Sequence, residues 1–175
     1  DKQYPYLLEK NGFRIVLLSY TYGTNGIPVQ GDVVVNYIDK KIIAADIAAA
    51  RQNGAQVLCV AMHWGVEYVL QPPAEVRDLA NFLVEQGVDL IIGGHPHVVE
   101  PMEMRHSNKY NKDVLLVYSL GNFISNMNDI DCRGGAMLKV TVGMNGANPS
   151  IKDPRYKLFY VQKPSFRGDN YIVIP

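Results

Sequence analysis

Three short runs constrain this chain more than anything else in it. FRIVLLSY (13–20), QVLCVAM (56–62) and VDLIIGG (88–94) are apolar almost throughout and too short for buried helices. The segments between them have a different period. In 39–53, DKKIIAADIAAARQN, the apolar residues Ile42, Ile43, Ile47 and Ala50 recur at helical spacing. Asp39 is a natural N-cap and Gly54 a natural stop. In 74–86, AEVRDLANFLVEQ, Val76, Leu79, Ala80 and Leu83 share one helical face, with Gly87 beyond the end. Strand, helix, strand, helix, strand, with strands that are apolar on both sides, predicts a parallel sheet covered on both faces.

The last third changes character. Segments 113–123, 135–144, 156–162 and 171–175 read as strands separated by turn chemistry, and no helix is predicted after residue 90. Antiparallel pairing is expected there. The fold class is therefore α/β, with parallel βαβ units followed by antiparallel strands. The chain of 175 residues reads as a single domain, 1–175. Seventeen basic residues balance seventeen acidic ones, which argues against a nucleic-acid partner, whose phosphates need a basic field. No run approaches the length of a membrane-spanning helix, and no secretory segment is evident at the start. Two cysteines make no disulfide framework. Cys59, inside VLCVAM, reads as a small core residue, and Cys132 as part of a polar loop.

In open α/β sheets, ligands sit beyond the carboxyl ends of the parallel strands. Two such ends carry histidine. The run 56–62 delivers His63 in MHWGVEY, and the run 88–94 delivers His95 and His97 in GGHPHVV. A chain with four histidines thus places three of them at one edge of the sheet. The glycine pair Gly93–Gly94 allows a tight turn and close approach to a ligand. Pro96 biases His95 towards extended backbone, in which residues i and i+2 point the same way. Neutral imidazole is the commonest metal-ligating side chain, so His63, His95 and His97 are the candidate metal ligands.

Other residues near this edge admit more than one reading. Glu67 is an outer partner, a direct ligand or a proton-transfer group; otherwise it is a solvated loop carboxylate. Trp64 walls the cleft or packs. Asn122, in SLGNF, donates to a substrate, orients a ligand or makes a turn. Arg133 meets an anion or lies exposed. His106, in a polar turn, carries no expected role.

SYTYGTNGIP, MHWGVEY with its following QPP, GGHPHVVEPME and VYSLGNFI resemble, in that order, the C-terminal half of the bacterial capsule-synthesis family of CapA type. This family is also called the poly-γ-glutamate synthesis family. The resemblance spans about residues 4–145. It implies a fold similar to the calcineurin-like metallophosphoesterases, a two-sheet α/β sandwich with a two-metal site at the strand ends. By position, His63 matches the isolated histidine ligand of that superfamily, and His95 and His97 match its Gly-His-x-His pair. Glu67 and Asn122 would line the same cleft as catalytic residues. The family's N-terminal Gly-Asp, Asn-x-Glu and Asn-Asn-His motifs have no counterpart in this sequence, and Asp32 in GDV is out of order. The chain is therefore expected to be the C-terminal half of a larger domain, holding about half of a metal site.

The resemblance implies two divalent ions in the full-length protein (manganese, iron or zinc) and hydrolysis of a phosphoester-like bond. It also implies an extracytoplasmic, envelope-associated location. The implied partners are an anionic polymer or phosphoester substrate and envelope-biosynthesis proteins. The isolated chain is expected to self-associate through uncovered apolar surface. Two rival readings stand beside this. One is a non-catalytic component that binds an envelope polymer or its synthase. The other is a mononuclear zinc amidohydrolase built on the three histidines and Glu67, since three neutral imidazoles suit one zinc ion with an open position.

Overall fold

The structure is a computed structural model that describes residues 5–146, 148–166 and 168–175. Its main sheet has six strands in the order β1-β2-β3-β4-β6-β5. These are β1 (Tyr6–Lys10), β2 (Phe13–Thr21), β3 (Val57–His63), β4 (Leu90–Gly94), β5 (Met102–Ser107) and β6 (Lys112–Val117). Strands β2, β3, β4 and β6 run parallel, while β1 and β5 pair antiparallel at the two edges. Helix α1 (Lys40–Gln52) joins β2 to β3, and α2 (Ala74–Glu85) joins β3 to β4. A second sheet, β7 (Gly134–Asn145), β8 (Asn148–Gln162) and β9 (Ile172–Ile174), is antiparallel throughout.

The alternation of side chains explains the layering. Val16, Leu18 and Tyr20 of β2, Leu58, Val60 and Met62 of β3, Ile91 of β4, and Val114 and Leu116 of β6 face the helices. There they meet Ile43 and Ile47 of α1 and Leu79, Ala80 and Leu83 of α2. Each such aliphatic side chain withdrawn from water contributes about 1.5–3 kcal/mol. The intervening residues, Val57, Cys59, Leu90, Ile92, Leu115 and Val117, face the second sheet and pack on Leu138, Val140, Val142 and Ile151. The parallel strands are thus covered on both faces, by helices on one side and by the second sheet on the other.

Helix α1 starts as its sequence dictates. The Asp39 carboxylate accepts from the amides of Lys41 (2.7 Å) and Ile42 (3.1 Å). Differences from the sequence reading lie where burial gives no signal. Strand β1 is wholly exposed. Strand β5 includes His106, which pairs with Asp113 at 2.8 Å and is not in a turn. Strand β6 stops at Val117 rather than 123, and β8 begins eight residues before the expected start at 156. A single 3₁₀ turn, Asp131–Arg133, follows residue 90 where the sequence predicts no helix. It buries Cys132 completely, so that residue is not part of an exposed polar loop. Both cysteines are free thiols. Among the described residues no helix is long and apolar enough to cross a membrane.

Candidate metal centre

The parallel register brings three strand ends into line: Thr21 pairs with His63, and His63 with Gly94. The chain leaving each end is tied to its neighbour. Tyr22 N donates to His63 O (3.0 Å), and Trp64 N donates to Gly94 O (3.1 Å). His63 and His95 therefore lie side by side, with ring centroids 4.7 Å apart, and His95 and His97 are 6.1 Å apart.

Gly93 has a different use from the one expected. A Cβ there would sit 1.8 Å from Tyr118 O and 2.5 Å from Trp64 Nε1. The close approach is made by the protein itself: the Trp64 indole, 2% exposed, donates to Tyr118 O at 2.9 Å beneath the site. Trp64 packs and does not wall a cleft. The expected extended backbone at the histidine pair is also overturned. His95 has φ 105° and His97 φ 63°, in the left-handed region that side chains seldom adopt. Tyr68, at φ 67°, is held nearby by its amide donating to Pro96 O at 2.8 Å. Of the seven described non-glycine residues at positive φ, four are Asn or Asp, which tolerate it. The other three are Tyr68, His95 and His97.

Glu67, from the loop after β3, closes on the pair. Glu67, His95 and His97 offer ligand atoms that all lie within 4.8 Å of one another. The His97 Nε2 to Glu67 Oε1 distance is 3.9 Å. His63 touches His95 but stands outside this tight trio. Asn122 reaches His97 from the segment after β6, with Oδ1 2.9 Å from Nδ1. Its amide orientation follows from its other partners: Nδ2 donates to Cys132 O at 2.8 Å and faces Met127 Sδ at 3.4 Å. Oδ1 is therefore the acceptor, His97 Nδ1 carries the hydrogen, and the Nε2 lone pair is free. Burial, and secondarily the neighbouring imidazoles, hold His63 and His95 below the usual histidine range. Both therefore stay neutral, as metal ligands must be.

Sequence reasoning missed two tyrosines here. Tyr22 lies parallel to His63 at 5.7 Å and tilted on His95 at 4.5 Å. Tyr68 stacks on His97 at 6.2 Å, and its phenol is held above the ordinary range chiefly by a hydrogen bond to Glu67. The available signal was that Tyr22 directly follows the end of β2 and Tyr68 directly follows Glu67 in the loop after β3. Arg133 is not a free anion receptor: Nε donates to Val161 O at 3.2 Å and the guanidinium covers the Tyr160 ring at 4.4 Å.

A sequence model described as "Bacterial capsule synthesis protein PGA_cap" matches residues 1–127. The chain is 36% identical over 138 residues to the PGA biosynthesis protein CapA of Bacillus subtilis (strain 168), covering 78% of this chain and 34% of that protein. It is 26% identical over 141 residues to the capsule biosynthesis protein CapA of Bacillus anthracis, covering 78% of this chain and 33% of that protein. The chain thus spans about a third of the length of these relatives. Among solved structures, a 5'-nucleotidase precursor from Thermus thermophilus aligns with a TM-score of 0.52 at 17% identity, over 88% of this chain and 29% of its own. The NAD nucleotidase of Haemophilus influenzae aligns with a TM-score of 0.53 at 14% identity, over 97% of this chain and 34% of its own. At these identities the likeness is one of fold, and that fold is of the calcineurin-like metallophosphoesterase type.

Proposed function

The chain belongs to the bacterial capsule synthesis family, and from that membership and the site geometry we propose a metal-dependent hydrolase domain. It acts on phosphoester-like bonds during envelope polymer synthesis, outside the cytoplasm. The observation that carries this reading is the convergence of Glu67, His95 and His97 within 4.8 Å, with His63 against His95, at the carboxyl edge of a parallel sheet.

The donor set fits a divalent ion: neutral imidazoles with free lone pairs and one carboxylate. His63, His95 and His97 would hold the metal in the complete protein. When bound, the ion supplies Lewis-acid polarisation of a phosphoryl oxygen and lowers the pKa of water. The chain's own groups have distinct parts to play. Asn122 fixes the His97 tautomer through Nδ1, so that Nε2 points outward. Glu67, 41% exposed beside His97, is placed to accept a proton from an incoming nucleophile or to serve as a ligand. Segments 22–38, 64–73, 95–101 and 118–132 surround the site and contain no Lys or Arg. Lys163 Nζ, donating to Asn126 O at 2.6 Å, is a cation brought to segment 118–132 from β8's far end.

A mononuclear centre is favoured by one specific observation, the presence of Glu67 within the tight trio. Elemental analysis after dialysis into metal-free buffer separates the two. About one ion per chain supports the mononuclear reading. None retained, with phosphoesterase activity in the longer protein that His97→Ala abolishes, supports the two-metal reading. Undiminished hydrolysis by that variant overturns the hydrolase assignment of this site.

A further inference from the structure

Glu100 is a buried acidic side chain near the site, two residues along the chain from Met102 of the inter-sheet cluster, and the mechanism above does not use it. It is 3% exposed, and neither carboxyl oxygen has a hydrogen-bond partner. An unpartnered ionised carboxylate is among the costliest groups to bury.

Its place in the fold links it to the metal centre. Strands β5 and β6 pair in a register that sets Met102 opposite Val117. The same register continues past the strand ends. Tyr118 N donates to Pro101 O (3.1 Å), Glu100 N donates to Ser119 O (3.1 Å), and Val99 bridges Leu120. Carried two steps further it sets His97 opposite Asn122, the pair that meets at 2.9 Å. One ladder therefore carries the His97–Asn122 contact, with Glu100 at its root.

The surroundings offer the carboxyl no counter-charge. Glu103 and Arg105 on β5 are paired with each other at 2.8 Å. Across the ladder stand Tyr118 and the buried Ser119, whose hydroxyl accepts from Gly121 N. The apolar inter-sheet cluster that includes Met102, Leu120 and Leu138 also holds Cys59, a thiol that burial pushes up to about 12.

We propose that Glu100 is carried as a neutral carboxylic acid at the root of the His97–Asn122 ladder, and that its ionisation pries this arm from the inter-sheet core. The inference is independent of the reaction proposed above. Burial alone raises the carboxyl to about 7 from its ordinary 4.5. The folded state then holds a proton that the unfolded state has released between those limits. Stability falls as pH rises through that window and is level above it. The folding equilibrium constant is expected to drop roughly tenfold per pH unit, about three hundredfold in all.

Carbon-13 labelling of glutamate side chains in the unaltered chain reads the titration without any substitution. One carboxyl with a midpoint near 7 is expected; midpoints all below about 5 overturn the proposal. Glu100→Gln keeps the shape and removes the charge. It is expected to abolish the fall in thermal midpoint between pH 5 and 7, and a variant that keeps the wild-type fall overturns the assignment. The Asn122 side-chain amide resonance reports the coupling. It should shift with the Glu100 midpoint in the native chain, and that component should vanish in Glu100→Gln. An Asn122 signal indifferent to Glu100 overturns the coupling.

Discussion

The two ends of the parallel strands use polar side chains in opposite ways. At the amino end, Asp89 is 3% exposed and saturated. Its carboxylate takes the Leu58 amide (2.8 Å), Arg51 Nη2 (2.7 Å) and Lys112 Nζ (2.6 Å). Arg51 also binds the carbonyls of Ala55, Gln56 and Gly87, and Lys112 shares Gly87 O. This network ties α1, the α2–β4 turn and the β5–β6 hairpin together. At the carboxyl end, three histidines and Glu67 are partly exposed, and the backbone under two of those histidines is strained. Where every donor has an acceptor, the polar groups hold the fold. Where lone pairs are left free on a stiff mount, they are available to a ligand.

The comparison breaks first at the amino end. Asp89→Ala leaves two cations facing each other and an orphaned amide, an expected loss of about 3–5 kcal/mol. That is a large share of a total stability of about 5–15 kcal/mol. Urea unfolding measures it. A loss under about 1 kcal/mol would mean that this network is not what fixes the strands.

At the carboxyl end the ranking should invert. His97→Ala is expected to change stability by less than about 1 kcal/mol, because the side chain is 34% exposed. Affinity for zinc or manganese should fall roughly a hundredfold in titration calorimetry, in line with loss of a direct ligand. A variant that unfolds while its metal affinity is spared would make His97 structural and erase the contrast.

Asn122→Ala tests the layer behind the ligand. Removing the acceptor frees the His97 ring to rotate and to change tautomer, so metal affinity should fall about tenfold or somewhat more. Asn122→Asp keeps an acceptor for Nδ1 but turns a second oxygen on Cys132 O in place of the donor, so it should restore only part of it. Equal affinities in all three proteins would show that the 2.9 Å contact has no part in orienting His97.

These residues also mark how far the sequence could be read. Strands β2, β3 and β4 and both helices were legible because burial on both faces leaves continuous apolar runs and helical spacing. The edge strands were not. The residues of β1, YLLEK, are exposed, and β5 alternates weakly because its Glu103–Arg105 pair lies on a partly solvated face. The histidines were visible as residues at strand ends, but their mutual geometry was not. It depends on Tyr68, His95 and His97 at positive φ, which sequence propensity argues against. Local propensity fails where a tertiary contact imposes the conformation, as the Tyr68 N to Pro96 O bond does.

That conflict supplies the subtlest test. If the left-handed backbone at Tyr68 is imposed by the loop, glycine should occupy it without strain. Tyr68→Gly should then move the thermal midpoint by no more than about 2 °C, since relief of strain offsets the greater freedom of the unfolded chain. The site should still suffer. The ring that stacks on His97 and the phenol bonded to Glu67 are both lost, so Glu67 is released from one side of the trio. Metal affinity is expected to fall about threefold to tenfold, on the scale of one lost outer-sphere contact. Tyr68→Phe divides the cause. It keeps the ring and the strain and removes the hydroxyl, so a Phe variant with native affinity assigns the effect to stacking. A Gly variant with native affinity would mean that the strained backbone serves the His95–His97 turn alone, and that Tyr68 is a passenger on it.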